Sequence, residues 1–293
     1  MLDLKNVTKA FGSVKALDDL TMTVPKGAVY GLVGPNGAGK STAIRCLLGV
    51  YRPDSGNITL DGTPVYENPV AKARMGSIPD DIFYFPSATM EDMRKFYQGI
   101  YPKFDLELYN KLFEAFDLPK KSPLRRFSKG MQKQAAFHLT LCTRPEVLVL
   151  DEPVDGLDPV MRRQVWSLIL SEVAKEETTV LISSHNLREL EDICDHVGIM
   201  DHGRMLLQRS LADMQGATHK LQLVGDVPEG LEVLHRSQSG RLTTLIVRGR
   251  AEEIEARAQN AGCVYYDVLP LSLEEIFIYE LGGVNYEVKN IVL

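Results

Sequence analysis

Eight consecutive residues constrain this chain more than any other stretch. Gly34, Pro35, Asn36, Gly37, Ala38, Gly39, Lys40 and Ser41 satisfy the spacing G-x-x-x-x-G-K-[ST] without a mismatch. An apolar run, Val29 to Val33, precedes them, and Thr42, Ala43, Ile44, Cys46, Leu47 and Leu48 follow at helical spacing. The order is therefore strand, glycine loop, helix. Glycines let several backbone N–H groups turn into one concavity without a Cβ in the way, and the helix behind adds its unpaired N–H groups and positive dipole end. This is a seat for a polyphosphate. Residues 34 to 42 are its candidate lining, with Lys40 directed at the β- and γ-phosphates and the Ser41 hydroxyl at Mg²⁺.

Composition excludes several other classes. With 33 basic and 39 acidic residues the net charge is −6, which gives no general attraction to nucleic acid, and no nucleic-acid partner is expected. Cys46, Cys142, Cys194 and Cys263 are isolated, with no C-x-x-C pair and no nearby His at metal spacing, and read as free thiols. No window approaches the apolar length of a membrane span, and the start does not read as a signal peptide. Any role at a membrane is expected to run through a partner chain.

Along the chain, alternating apolar positions at Leu2 and Leu4, then Leu20, Met22 and Val24, together with Asn57–Asp61, predict an antiparallel sub-sheet. Between Pro86 and Pro145 the period turns helical. Thr89 and Asp92 form a capping-box start for a helix through Met93, Phe96, Tyr97 and Ile100, and a second helix carries Leu108, Leu112 and Phe116. Val147–Leu150 and Thr179–Ser183 read as central parallel strands, joined by a helix that Asp158 and Pro159 open. Val197–Met200 and Met205–Leu207 predict a closing hairpin. Beyond Gly216 the texture changes to strands at 220–224, 242–248 and 264–269 with helices at 252–260 and 273–281. The expected division is an α/β domain over 1–215, with a helical subdomain at about 86–145, and a small α+β domain over 216–293.

Three of these strands end in chemistry: the phosphate loop after Val33, Asp151 and Glu152 after Leu150, and Ser184 and His185 after Ser183. Ligands of an open parallel sheet sit beyond the carboxyl ends of its strands, so the three ends converge on one crevice. Asp151 suits Mg²⁺ held through water, and Glu152 suits orientation of a water attacking a γ-phosphate. Set against this are a solvated acidic pair and a structural histidine. For His185 the functional role is contact with γ-phosphate and attacking water.

At this point residues 1–215 resemble the nucleotide-binding subunit of an ABC transporter, which implies a P-loop NTPase core, ATP as substrate, Mg²⁺ and ATPase activity. The family's signature segment corresponds to Ser128, Lys129, Gly130, Met131 and Gln132, with Phe127 and Lys129 departing from its usual L-S-G-G-Q form. The resemblance implies that this segment is offered in trans to ATP on a second ATPase subunit, identical or related, although Ser128 also fits a plain helix N-cap. Asp158 matches the family's aspartate loop, or caps its own helix. Phe11 matches the aromatic that stacks on adenine. Asp80 stands where the family usually has Gln; it either ligates Mg²⁺ or repels the phosphate. The relaxed signature and the appended domain resemble exporter ATPases of the type-2 permease class, including those for peptides, drugs and phenol-soluble-modulin-type toxins. That implies a separate membrane permease, a seat on the cytoplasmic face of the membrane, and docking near Ile82–Thr89, where Phe83, Tyr84 and Phe85 cluster; the alternative for this cluster is packing against the helical insert. The alternatives are a soluble ABC ATPase without a transporter and a regulatory ATP-binding module.

Overall fold

Alternation near the start of the chain builds the first layer. Strands β1 (Leu2–Phe11) and β2 (Val14–Val24) pair antiparallel, with Leu2 opposite Val24 and Leu4 opposite Met22. All four side chains are buried on one face, as a period of two requires. The chain continues through β3 (Val29–Val33), helix α1 (Lys40–Leu47), β4 (Ser55–Leu60), β5 (Thr63–Pro64), α2 (Pro69–Lys72) and β6 (Met75–Ile78). β4 joins the other side of β1, also antiparallel, with Leu4 opposite Ile58. The computed structural model describes residues 1–116, 118–176 and 178–281.

The helical segment follows: α3 (Met90–Ile100), α4 (Leu106–Phe116) and α5 (Lys129–Leu141). The capping box expected at Thr89 is present, its hydroxyl accepting from the Asp92 N–H while the Asp92 carboxylate accepts from the Thr89 N–H. α5 is buried on almost every side from Lys133 to Leu141.

The central layer resumes with β7 (Val147–Asp151), α6 (Pro159–Glu176) and β8 (Thr179–Ser184), then α7 (Arg188–Glu191), β9 (His196–Asp201) and β10 (Arg204–Ser210). Six strands lie in the order β10-β9-β3-β8-β7-β6. β3, β8, β7 and β6 run parallel, and every residue of β3, β7 and β8 is buried, which is why these strands read as unbroken apolar runs. Their register fixes the site. Val33 lies opposite Ser184, Asp151 opposite Ser183, and Ile78 opposite Leu150, so the strands finish in one row and the residues after them share one edge. The turn between β9 and β10 places His202 and Gly203 at positive φ, the backbone a two-residue hairpin favours.

Cα positions group the chain into two units, Met1–His185 with Gly198–Gln208, and Asn186–Val197 with Arg209 onward. The second contains α8 (Leu211–Ala217), β11 (Thr218–Val224), β12 (Glu232–Ser239), β13 (Leu242–Arg248), α9 (Ala251–Asn260), β14 (Tyr265–Pro270) and α10 (Leu273–Leu281). Its strands form an antiparallel sheet in the order β12-β13-β11-β14, with Ile254 and Ala258 of α9 packed on Leu221, Leu223, Leu245 and Val247. Arg188 Nε donates to Glu274 at 2.8 Å and the Leu273 N–H donates to Glu191 at 3.1 Å, which explains why Asn186–Val197 groups here. Residues 282–293 of the expected C-terminal domain lie outside the described residues.

Candidate functional site

The phosphate loop leaves the buried end of β3 and is held from behind. The Gly203 N–H donates to the Ala38 carbonyl at 2.9 Å, and the Ala38 N–H to that of Pro35 at 3.0 Å. α1 then begins at Gly39 with no side-chain cap and no acidic residue in its first turn. Its leading N–H groups are therefore left to an external acceptor, the arrangement that suits an anion. Pro35, Asn36, Gly37, Ser41 and Thr42 stay accessible while Gly34, Ala38 and Lys40 are buried.

Lys40, 6% exposed, donates from Nζ to the Gly34 carbonyl at 2.7 Å and stands 3.5 Å from Glu152 Oε1. The Ser41 hydroxyl donates to Asp151 Oδ1 at 3.2 Å, and Ser183 Oγ donates to the same oxygen at 2.6 Å. Ser183 Oγ also accepts from the Glu152 N–H at 3.0 Å. His185 Nδ1 lies 3.0 Å from Glu152 Oε2, and because a carboxylate accepts, Nδ1 is the donor of this hydrogen bond. The three strand ends thus meet through direct hydrogen bonds. Glu152 itself sits at φ +46°, a left-handed conformation costly for a residue with a side chain and of the kind concentrated where geometry serves a reaction.

A cleft of about 540 Å³ opens over this group, lined by Asn36 to Thr42, Glu152 and Asp80. The residue after Pro79 therefore does reach the phosphate-loop cleft. Although half of its side chain is exposed, the partial loss of hydration at the cleft wall raises the Asp80 carboxyl above the ordinary Asp range; Lys133 pulls it back down, and Asp81, Asp155 and Asp151 add to the rise. Phe11 ends β1, 45% exposed, edge-on to Tyr51 at 5.3 Å.

The signature segment lies elsewhere. Among the described residues none from 128 to 132, nor Asp158, lines this cleft. Ser128 caps α5, its Oγ accepting from the Met131 N–H at 3.3 Å, and Gln132 Nε2 donates to the Phe127 carbonyl at 3.0 Å. Lys129 is exposed and Gly130 half-buried. Asp158 Oδ1 accepts from the Val160 and Met161 N–H groups at 2.9 and 3.0 Å, capping α6. The aromatic trio divides: Tyr84 is buried and its hydroxyl donates to the Gln132 carbonyl at 2.9 Å, whereas Phe83 and Phe85 are 72% and 49% exposed. Two supports of the site stand outside the sequence motifs, Ser183 as a bridge and Lys133 beneath the Glu152 turn. A serine pair ending an otherwise apolar strand was a signal for the first.

A sequence profile described as ABC transporter matches residues 17–155. The chain is 30% identical over 288 residues to ABC transporter ATP-binding protein YtrB of Bacillus subtilis (strain 168), covering 97% of this chain and 99% of that protein. It is 32% identical over 296 residues to Nod factor export ATP-binding protein I of Burkholderia lata, covering 96% and 97%. Among solved structures it resembles the dimeric post-hydrolysis state of the ATP-binding cassette MJ0796 bound to ADP and Pi, with TM-score 0.65 and 19% identity over 72% of this chain and 99% of that one.

A parallel sheet ending in a phosphate loop and a carboxylate pair defines the P-loop ATPase class. The chain belongs to the ABC transporter family, as one of its ATP-binding proteins. It is an ATPase cassette, and such cassettes act as dimers with separate membrane permeases. Among the described residues no helix is long and apolar enough to cross a membrane.

Proposed function

We propose that this chain binds ATP with Mg²⁺ in the cleft over β3 and β7 and hydrolyses it in a face-to-face pair of cassettes, two identical or two related chains. Hydrolysis drives export of a peptide, toxin or drug through a separate permease, at the cytoplasmic face of the membrane. The observation that carries the reading is the junction of three strand ends, in which Ser41 and Asp151 share one hydrogen bond and Lys40, Glu152 and His185 form a chain of contacts at 3.5 and 3.0 Å. The export direction is supported by the resemblance of this chain to a protein named for Nod factor export.

The donors fit the metal. Ser41, Asp151 and Asp80 offer oxygens only, the ligand type Mg²⁺ takes. Among the described residues no three His, Cys, Asp or Glu side chains could close around an ion, so phosphate oxygens and waters would complete its shell. When bound, Mg²⁺ neutralises charge on the β- and γ-phosphate oxygens. The chain's own residues do the rest. The backbone N–H groups of 37 and of 39 to 42 bind the phosphates, and Lys40 exchanges the Gly34 carbonyl for β- and γ-phosphate oxygens. Glu152 accepts a hydrogen bond from the attacking water and aims its oxygen at the γ-phosphorus, while His185 holds the Glu152 carboxylate through Nδ1 and turns Nε2 toward the reacting group. Phe11 offers its ring face to adenine. Ser128 to Gln132 and Asp158 of the partner cassette close the cleft from the far side. Residues 216–293 are assigned no chemical step and form an accessory domain.

Glu152→Gln keeps the shape and removes the acceptor charge. It should lower turnover at least ~100-fold, the scale of a general-base contribution, and should hold a dimer at saturating ATP and Mg²⁺ by light scattering. Turnover within tenfold of the parent, or a monomer under those conditions, counts against the reading.

A further inference from the structure

Lys133 is a buried cation that the steps above leave unused. It lies on α5 beyond the Ser128 cap and is 6% exposed. An ammonium in such a place needs partners for its three N–H groups. Two donate to backbone carbonyls, those of Glu152 at 2.8 Å and Asp155 at 2.9 Å. The third side faces Asp80, whose Oδ1 is 3.9 Å away. Both carbonyls belong to the turn that holds Glu152 at positive φ. Asp80 has the opposite character, with a side chain 52% exposed and a place in the lining of the cleft beside Lys40, Ser41 and Glu152.

One carboxylate thus lies between a buried ammonium and the space where a nucleotide and its cation would sit. A separation of 3.9 Å is an ion pair without a tight hydrogen bond, so Asp80 can leave it at small cost. We infer that Lys133 is a positioning residue with two tasks: its carbonyl contacts fix the Glu152–Asp155 turn, and its charge holds Asp80 as a counter-ion that Mg²⁺ in the cleft must win away. The inference rests on the proposed nucleotide site. It explains how an aspartate is tolerated next to phosphates, since without nucleotide its charge is matched by Lys133, and with metal the cation matches it instead.

The test is the ratio of the dissociation constant of mant-ATP in EDTA to that in excess MgCl₂, measured by fluorescence at a concentration that keeps the protein monomeric. Lys133→Met leaves Asp80 unpaired, which repels metal-free nucleotide and binds the metal complex better. The ratio should rise about three- to fivefold, the scale of a partly exposed ion pair. In an Asp80→Asn background the same substitution should leave the ratio unchanged. Lys133→Gln, whose amide can still donate to the two carbonyls, should raise the ratio with a smaller loss of thermal stability and serves if the Met variant folds poorly. A Lys133 that only braces the turn would weaken both affinities equally, so an unchanged ratio in both variants overturns the inference, as does an equal rise in the Asp80→Asn background. Failure of the site itself reads differently: Lys40→Ala would then leave mant-ATP binding untouched.

Discussion

Two glycines of the phosphate loop separate backbone conformation from space. Gly37 has φ +86° and a Cβ built on it meets nothing within 4 Å. Gly39 has φ +103°, and its Cβ would stand 2.5 Å from the Ala16 carbonyl oxygen and 3.2 Å from Leu17 Cδ2. Gly37→Ala therefore carries only the conformational penalty, about 1–3 kcal/mol. Gly39→Ala carries that and an overlap with backbone that no rotamer relieves, about 1–3 kcal/mol more. At roughly 2–4 °C per kcal/mol for a chain of this size, Gly39→Ala should melt some 2 to 12 °C below Gly37→Ala. Thermal unfolding of both variants, followed by circular dichroism without nucleotide, gives the difference, and mant-ATP titration should find Gly39→Ala the weaker binder. If the two melt together, the close packing of the loop on Ala16 and Leu17 is wrong.

Two further outcomes follow from single side chains. His138 is fully buried among Tyr109, Phe113 and Phe116, with Nε2 donating to the Tyr109 carbonyl at 2.7 Å, and burial pushes its pKa down from 6.5 to about 4. The unfolded chain therefore takes up the proton first, so the stability due to the neutral ring is complete above about pH 6.5 and is lost as pH falls toward 4. Urea unfolding should give about 2 kcal/mol less stability from this group at pH 5 than at pH 7, and His138→Phe should flatten that dependence; an unchanged slope refutes it. Ser128→Ala removes the cap of α5 and should cost about 1 kcal/mol while weakening ATP-dependent dimer formation, and Ser128→Thr should restore both; loss of stability with dimerisation intact would confine Ser128 to capping.

What was legible in the sequence depended on how local its physics is. The glycine loop, the capping box at Thr89 and the apolar runs of β3, β7 and β8 each carry their signal within a few residues, and the structure has them where expected. Convergence of Lys40, Ser41, Asp151, Glu152 and His185 followed from the rule that parallel strands end together. β12 was not legible: Glu232–Ser239 is an edge strand with nearly every side chain exposed, so no alternation marks it. Lys133 was hidden for the opposite reason, since a lysine within a helix reads as surface until a distant turn brings two carbonyls to its ammonium. Tyr84 belongs to the same class, a buried ring whose hydroxyl finds its acceptor in the distant Gln132 carbonyl. The grouping of Asn186–Val197 with the C-terminal unit rests on contacts from Arg188 and Glu191 that no local pattern announces.

On the proposed reading nucleotide binding turns on Lys40, whose ammonium sits against the Gly34 carbonyl and Glu152 at the mouth of the loop. Hydrolysis of ATP by a folded Lys40→Ala protein, followed as phosphate release at saturating Mg²⁺, should fall at least ~100-fold, the scale of losing a charged group aimed at the transferring phosphoryl. Phosphate release at the parent rate would place the reaction in another pocket.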